Sequence, residues 1–148
     1  MAATSFPMPD DRYYEPDHHL WVKRHEASGR VLIGIDAIGL DSLGEPAYIE
    51  LPQVETPIAR GKSLGTLEAA KMTGPIVAPV SGSVTARNEN VLKDPLLVNR
   101  DSYQEGWLLE VHPSNWDRES RNLIAPENVA DWAQREAERQ SSDSPTEE

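Results

Sequence analysis

Gly65-Thr66-Leu67-Glu68-Ala69-Ala70-Lys71-Met72-Thr73-Gly74-Pro75-Ile76-Val77-Ala78-Pro79-Val80-Ser81-Gly82 joins two apolar, strand-like runs across one polar point. Residues 64–70 can pair back against residues 76–80, which places Lys71 at or near the tip of a hairpin. A lysine at such a tip is ordinarily solvated surface. Here it has small or unbranched neighbours, and two glycines, Gly74 and Gly82, flank the returning strand. Their placement predicts tight curvature that keeps the lysine projecting.

Outward from the hairpin the pattern stays that of short strands. On the N-terminal side, His19 to Lys23 alternates like a half-buried strand and Val31 to Ile35 forms a second, with Ala27-Ser28-Gly29 between them as the turn. Asp36 can cap a short helix through Leu43 that Gly44 stops. Residues 47–51 read as a third strand ended by Pro52. On the C-terminal side, residues 82–86, 96–98 and 107–111 read as strands, with Asn88-Glu89-Asn90 as turn material. Ser114 can cap a short helix, and a last helix begins around Pro126 and turns Val129, Trp132 and Ala133 inward. Trp21, Trp107 and Trp132 read as core, and Trp116 as a cover for one end of the sheet. Many short strands punctuated by Gly and Pro predict a mainly β protein, a small sandwich or barrel whose topology the pattern leaves open.

At 148 residues the chain has the length of one domain with a modest core. Residues 1–12 are polar and proline-containing and read as a flexible arm. Residues 13–140 form the domain, and residues 141–148 read as a disordered acidic tail. The net charge is −11, and seven acids in residues 127–148 face only Arg135 and Arg139. That balance argues against nucleic acid, whose phosphates need Lys and Arg. It suits solubility or docking to a basic protein surface. The absence of cysteine excludes disulfides, cysteine zinc sites and a cysteine nucleophile. No apolar run approaches a membrane span and the first ten residues lack a signal-peptide pattern, so a cytoplasmic protein without membrane contact is expected.

Most catalytic motifs fail. Gly61-Lys62-Ser63 ends like a phosphate-binding loop, but Thr56 stands where that motif needs glycine. No Gly-x-Ser-x-Gly elbow is present. His18 and His19 are adjacent and cannot share one strand face; with no His-x-x-x-His they read as surface or packing residues rather than metal ligands. A non-catalytic protein is expected.

The spacing from Lys71 to Pro79-Val80-Ser81-Gly82, then to Pro95-Leu96-Leu97-Val98-Asn99 and Gly106-Trp107-Leu108, resembles the H protein of the glycine cleavage system. Tyr48-Ile49-Glu50-Leu51-Pro52 and Gly61-Lys62 precede the lysine in that family's order, and the likeness runs from about Tyr14 to Trp132. It implies a barrel-sandwich hybrid of the lipoyl/biotinyl type with short C-terminal helices. It further implies lipoic acid joined covalently to Lys71, and Glu68, three residues before, read by the lipoate-attaching enzyme. Lys71-Met72 is also similar to biotin carrier domains, but these place Met on both sides of the lysine and position 70 is Ala. An unmodified adaptor that kept the fold is a further alternative.

Two departures bear on the cargo. The H-protein pattern has an acid four residues after the lysine, where this chain has Pro75. It also has His-Glu-Trp near the N-terminus, where this chain has His19-Leu20-Trp21. In the glycine system those acids accompany a protonated amine on the arm, and a buried ammonium needs a counter-charge. Glu15 or Asp17 can substitute. The apolar pair is more similar to H-like lipoate-binding proteins of cytoplasmic sulfur oxidation, whose partner is a heterodisulfide-reductase-like complex. The alternative is the glycine cleavage H protein itself, with the glycine cleavage enzymes and dihydrolipoamide dehydrogenase as partners.

Overall fold

A computed structural model describes residues 6–142. Its nine strands form two sheets. The larger has the order β1 (Tyr13–Glu15), β2 (Leu20–Arg24), β3 (Val31–Ile35), β9 (Leu109–Pro113), β8 (Gly82–Arg87), β5 (Pro57–Ile58). The smaller has the order β4 (Pro46–Glu50), β6 (Ser63–Ala69), β7 (Thr73–Val77). Their facing sides meet in one core that includes Val22, Ile33, Ile49, Leu67, Val80, Val84 and Val111. The chain is thus mainly β, as its punctuated apolar runs require.

Helix α1 (Ala37–Leu43) follows β3 as its end residues dictate. The Asp36 carboxylate accepts from the Gly39 amide at 2.9 Å, and Gly44 ends the helix at φ 81°, a left-handed conformation that suits glycine. Two further segments differ from the sequence expectation. The expected turn at 88–90 opens helix α2 (Glu89–Lys93), whose first turn is capped by the Asn88 side chain. The expected strand at 96–98 is helix α3 (Leu96–Arg100), in which only Val98 is buried. A three-residue apolar run has no period to tell strand from helix, and Pro95 with the turn bonds to Asp94 and Pro95 decides the case. Trp107 and Leu108 lie just before β9 rather than inside it. Helix α4 (Trp116–Glu119) has Asn115 at its cap position with no side-chain bond; the Ser114 amide instead donates to the Ser81 carbonyl at 3.0 Å.

A second, aromatic core lies on the other side of β2. Tyr14, Trp21, Val129 and Trp132 are buried together, with Met8, Tyr103 and Trp107 packed around them. The last helix, α5 (Val129–Ser142), enters through a 3-10 turn at Pro126–Asn128 and supplies Val129 and Trp132. It continues two residues past the expected start of the tail, and residues 143–148 lie outside the described part.

The boundary drawn at residue 12 does not follow the packing. Arg12 is buried, its guanidinium 4.8 Å above the Trp21 ring and 5.2 Å from that of Tyr103. The Tyr14 hydroxyl donates to the Pro9 carbonyl at 2.6 Å. A cation that stacks on aromatic faces replaces lost hydration with contacts that polar composition alone does not reveal. Residues 1–5 lie outside the described part.

Candidate functional site: a lysine at a hairpin tip beside an apolar cleft

Strands β6 and β7 pair antiparallel, Thr66 with Pro75, Leu67 with Gly74 and Glu68 with Thr73. The Ala69 amide donates to the Met72 carbonyl at 2.9 Å, which leaves Ala70 and Lys71 as the tip. The tip is tied down. The Ala70 amide donates to the Glu45 carbonyl at 3.0 Å and the Lys71 amide to the Leu43 carbonyl at 2.8 Å. Gly44 lets this contact form: a Cβ there would lie 3.0 Å from Lys71 Cγ. The Lys71 side chain is exposed and its Nζ donates to the Asp41 carbonyl at 2.9 Å. A rigid backbone root under an accessible amine suits a lysine that is to bear a long group.

Of the two glycines expected to set the curvature, only Gly82 is required by close approach, its would-be Cβ lying 2.2 Å from the His112 carbonyl across the β8–β9 pair. A Cβ on Gly74 meets open space. Glu68 is exposed on β6, opposite Tyr48 of β4 and Thr73 of β7.

Beside the tip lies a cleft of about 430 Å³. Its walls come from the turn at 17–20, from α1 (Gly39, Ser42, Leu43) and from the hairpin (Met72 to Val77). Leu20 and Pro75, remote in sequence, both line it, and Asp17 is the one carboxylate among its lining residues. Glu15 does not line it, and its carboxylate is engaged: it accepts from the amides of Asp17 (3.0 Å) and His18 (2.7 Å) and contacts the His18 ring at 2.9 Å.

The sequence reading missed both histidines as part of this site. His18 and His19 line the cleft because the turn before β2 holds His19 at φ 57° and packs it on Gly39 of α1. His19 Nδ1 lies 3.1 Å from the fully buried Asp36 and its Nε2 3.4 Å from Glu136 of α5, while Trp132 stacks on the ring. Burial alone would push its pKa down. The hydrogen bond to Asp36 and the charges of Asp36 and Glu136 outweigh that, against a small opposing effect of Arg139, so the net shift is upward. A raised folded-state value means this contribution to stability is complete below about pH 6.5, the ordinary histidine value, and is lost as pH rises through the folded-state value. The difference in melting temperature between the protein and His19→Gln is therefore expected to be larger at pH 6 than at pH 9. A difference that is constant or grows with pH contradicts the assignment.

The family model of the glycine cleavage H-protein matches residues 12–136. The chain belongs to that family. Members of the glycine cleavage H-protein family are carriers, not enzymes, and their cofactor is lipoic acid held covalently on a lysine. The chain is 38% identical to the glycine cleavage system H protein of Carboxydothermus hydrogenoformans over 131 residues, covering 88% of this chain and 98% of that one. It is 33% identical over 122 residues to glycine cleavage system H protein 2 of Aquifex aeolicus, covering 82% and 75%. The crystal structure of a glycine cleavage system H protein from Mycobacterium marinum superposes with a TM-score of 0.73 at 28% identity, over 84% of this chain and 98% of that one. The two sheets are accordingly the barrel-sandwich hybrid of that family.

The residues present fit the family's cofactor. An exposed amine on an anchored turn, next to an apolar cleft, offers both an attachment point and a place for a long aliphatic group. Among the described residues no helix is long and apolar enough to cross a membrane.

Proposed function

We propose that Lys71 is the lipoylated lysine of this carrier, with Glu68 read by the lipoate-attaching enzyme. We propose further that the cargo has no ammonium group and belongs to a sulfur-oxidation system built on a heterodisulfide-reductase-like complex. Bound lipoate would supply a disulfide/dithiol couple on a flexible tether. The chain's own contributions are the Lys71 amine as attachment point, the anchored tip beneath it, and an apolar cleft beside it. The observation carrying the cargo assignment is that Leu20 and Pro75 line that cleft together, and Leu20 is only 3% exposed. A cationic cargo enclosed there meets hydrocarbon at both positions where the glycine-system pattern supplies carboxylates.

The second reading, a glycine cleavage H protein carrying the aminomethyl group, is favoured by the names of the relatives. It also has one structural candidate for the missing counter-charge, the Asp17 carboxylate lining the cleft. The two readings separate in glycine-dependent aminomethyl loading of the lipoylated protein by glycine decarboxylase and aminomethyltransferase, followed by mass spectrometry. The sulfur reading expects loading about 10- to 100-fold below that of a true H protein, the equivalent of roughly 1–3 kcal/mol for an uncompensated buried polar group. It expects Asp17→Asn to change nothing further. Efficient loading that Asp17→Asn abolishes would return the chain to glycine cleavage.

A further inference from the structure

At the rim of the cleft stands a polar pair that neither reading uses, Glu15 and His18. The carboxylate of Glu15, at the end of β1, gathers the turn that follows by accepting from the amides of Asp17 and His18. The same oxygen that takes the His18 amide lies 2.9 Å from His18 Nδ1. Glu15 is 15% exposed and His18 48% exposed, so the carboxylate is held inside while the ring reaches solvent and the cleft. A carboxylate only accepts, so the ring must donate from Nδ1, and Nε2 is left with its lone pair. Nε2 can therefore accept a proton from a donor in the cleft, with the Glu15 carboxylate on the other ring nitrogen. The charged or titratable groups lining the cleft, or the small pocket that adjoins it, are Glu15, Asp17, His18, His19 and Arg60. Of these, His19 is bound on both ring nitrogens, to Asp36 and Glu136. His18 is the imidazole with a free nitrogen.

We infer that the Glu15–His18 pair holds the proton of the reduced arm's thiol, so that the carrier presents its sulfur as thiolate inside the cleft. This rests on lipoylation at Lys71. The S–H bond breaks, an N–H bond forms at His18 Nε2, and Glu15 balances the new positive charge; no electrons change hands. A thiol beside a protonated histidine has its pKa lowered. A fall of about one unit below the value of the free arm raises the thiolate fraction near pH 7 about tenfold. Its nucleophilicity falls by about half that on the logarithmic scale, which leaves attack on a disulfide about threefold faster.

The chain has no cysteine, so the arm's two sulfurs are the only thiols in the folded protein. The lipoylated protein, its loading counted by intact mass, is reduced, freed of reductant and reacted with the neutral disulfide 4,4′-dithiodipyridine across pH 5.5 to 9.5. Free dihydrolipoamide serves as reference. The protein's rate profile should turn over about one pH unit below the reference, and near pH 7 it should react about threefold faster. His18→Gln should move the midpoint back to that of the reference. Glu15→Gln, which removes the charge and keeps the shape, should move it most of the way, and amide spectra of both variants report whether the turn still folds. An unmoved midpoint in folded, fully lipoylated His18→Gln overturns the inference, even if rates drop at every pH, since that pattern marks packing alone. Mass spectra without a lipoyl increment overturn instead the attachment on which it rests.

Discussion

Lys71→Arg is expected to remove the whole of the lipoyl increment from the intact mass of protein made in lipoate-supplied cells, while the melting temperature stays within a degree or two. The two halves of this expectation have separate causes. Acylation needs a neutral amine as nucleophile, which a guanidinium does not provide. The fold does not need the ammonium, because the side chain is exposed and its one bond goes to the Asp41 carbonyl, while the tip is held by the Ala70 and Lys71 backbone amides. Surface substitutions of this kind usually fall within about 0.5 kcal/mol. The same spectrum decides among the other modifications: a biotin-sized increment would make the chain a biotin carrier, and no increment an unmodified adaptor. An increment that survives Lys71→Arg and maps to Lys62 or Lys93 would refute the site.

Trp21→Ala is expected to cost about 3–5 kcal/mol, the range for emptying a large aromatic site in a core. For a chain of this size that lowers the melting temperature by on the order of 10–15 °C. Trp21 is 0% exposed and its indole donates to the Ser102 carbonyl at 2.9 Å. Its ring fills the space over Gly34 so closely that a Cβ there would clash with it, and the Arg12 guanidinium lies over the ring at 4.8 Å. Loss of the ring removes the bond to the Ser102 carbonyl, one of the two aromatic rings beside the Arg12 guanidinium, and the packing between β2 and Tyr103. Thermal or denaturant unfolding measures the loss. A cost under 1 kcal/mol would show that the aromatic core re-closes around the gap. Because His19 lies two residues away and stacks on Trp132 of the same core, the variant should also weaken the docking of α5.

These two expectations draw on different kinds of information. The hairpin with Lys71 at its tip was legible in the chain because it is local. Two apolar runs, a short polar break and small neighbours leave few ways to pair, and adjacent strands of matching length close with little loop entropy. The Asp36 cap and the Gly44 stop were legible for the same reason, since a helix end is specified within four residues. Alternation alone would leave Trp21 on the solvent face, opposite Leu20 and Val22; all three are buried because the aromatic core covers the second face of β2.

The cleft was not legible, because none of its walls is near another in sequence. Pairing of β2 with β3 sets Leu20 opposite Ile35, and the bonds from Ala70 and Lys71 to Glu45 and Leu43 swing the hairpin onto α1. Only then do Leu20 and Pro75 share one surface. Residues 89–93 and 96–100 are helices through the Asn88 cap and the turn bonds to Asp94 and Pro95, which apolar runs too short to carry a period do not announce. Tertiary contacts drew Arg12 out of a polar segment into the aromatic core. The chain by itself determined that Lys71 sits at a hairpin tip, because that depends on neighbours a few residues apart. What surrounds the lysine, and so which cargo it can shelter, was decided by long-range pairing, because a site assembled from distant segments exists only once the sheets and α1 have closed around it.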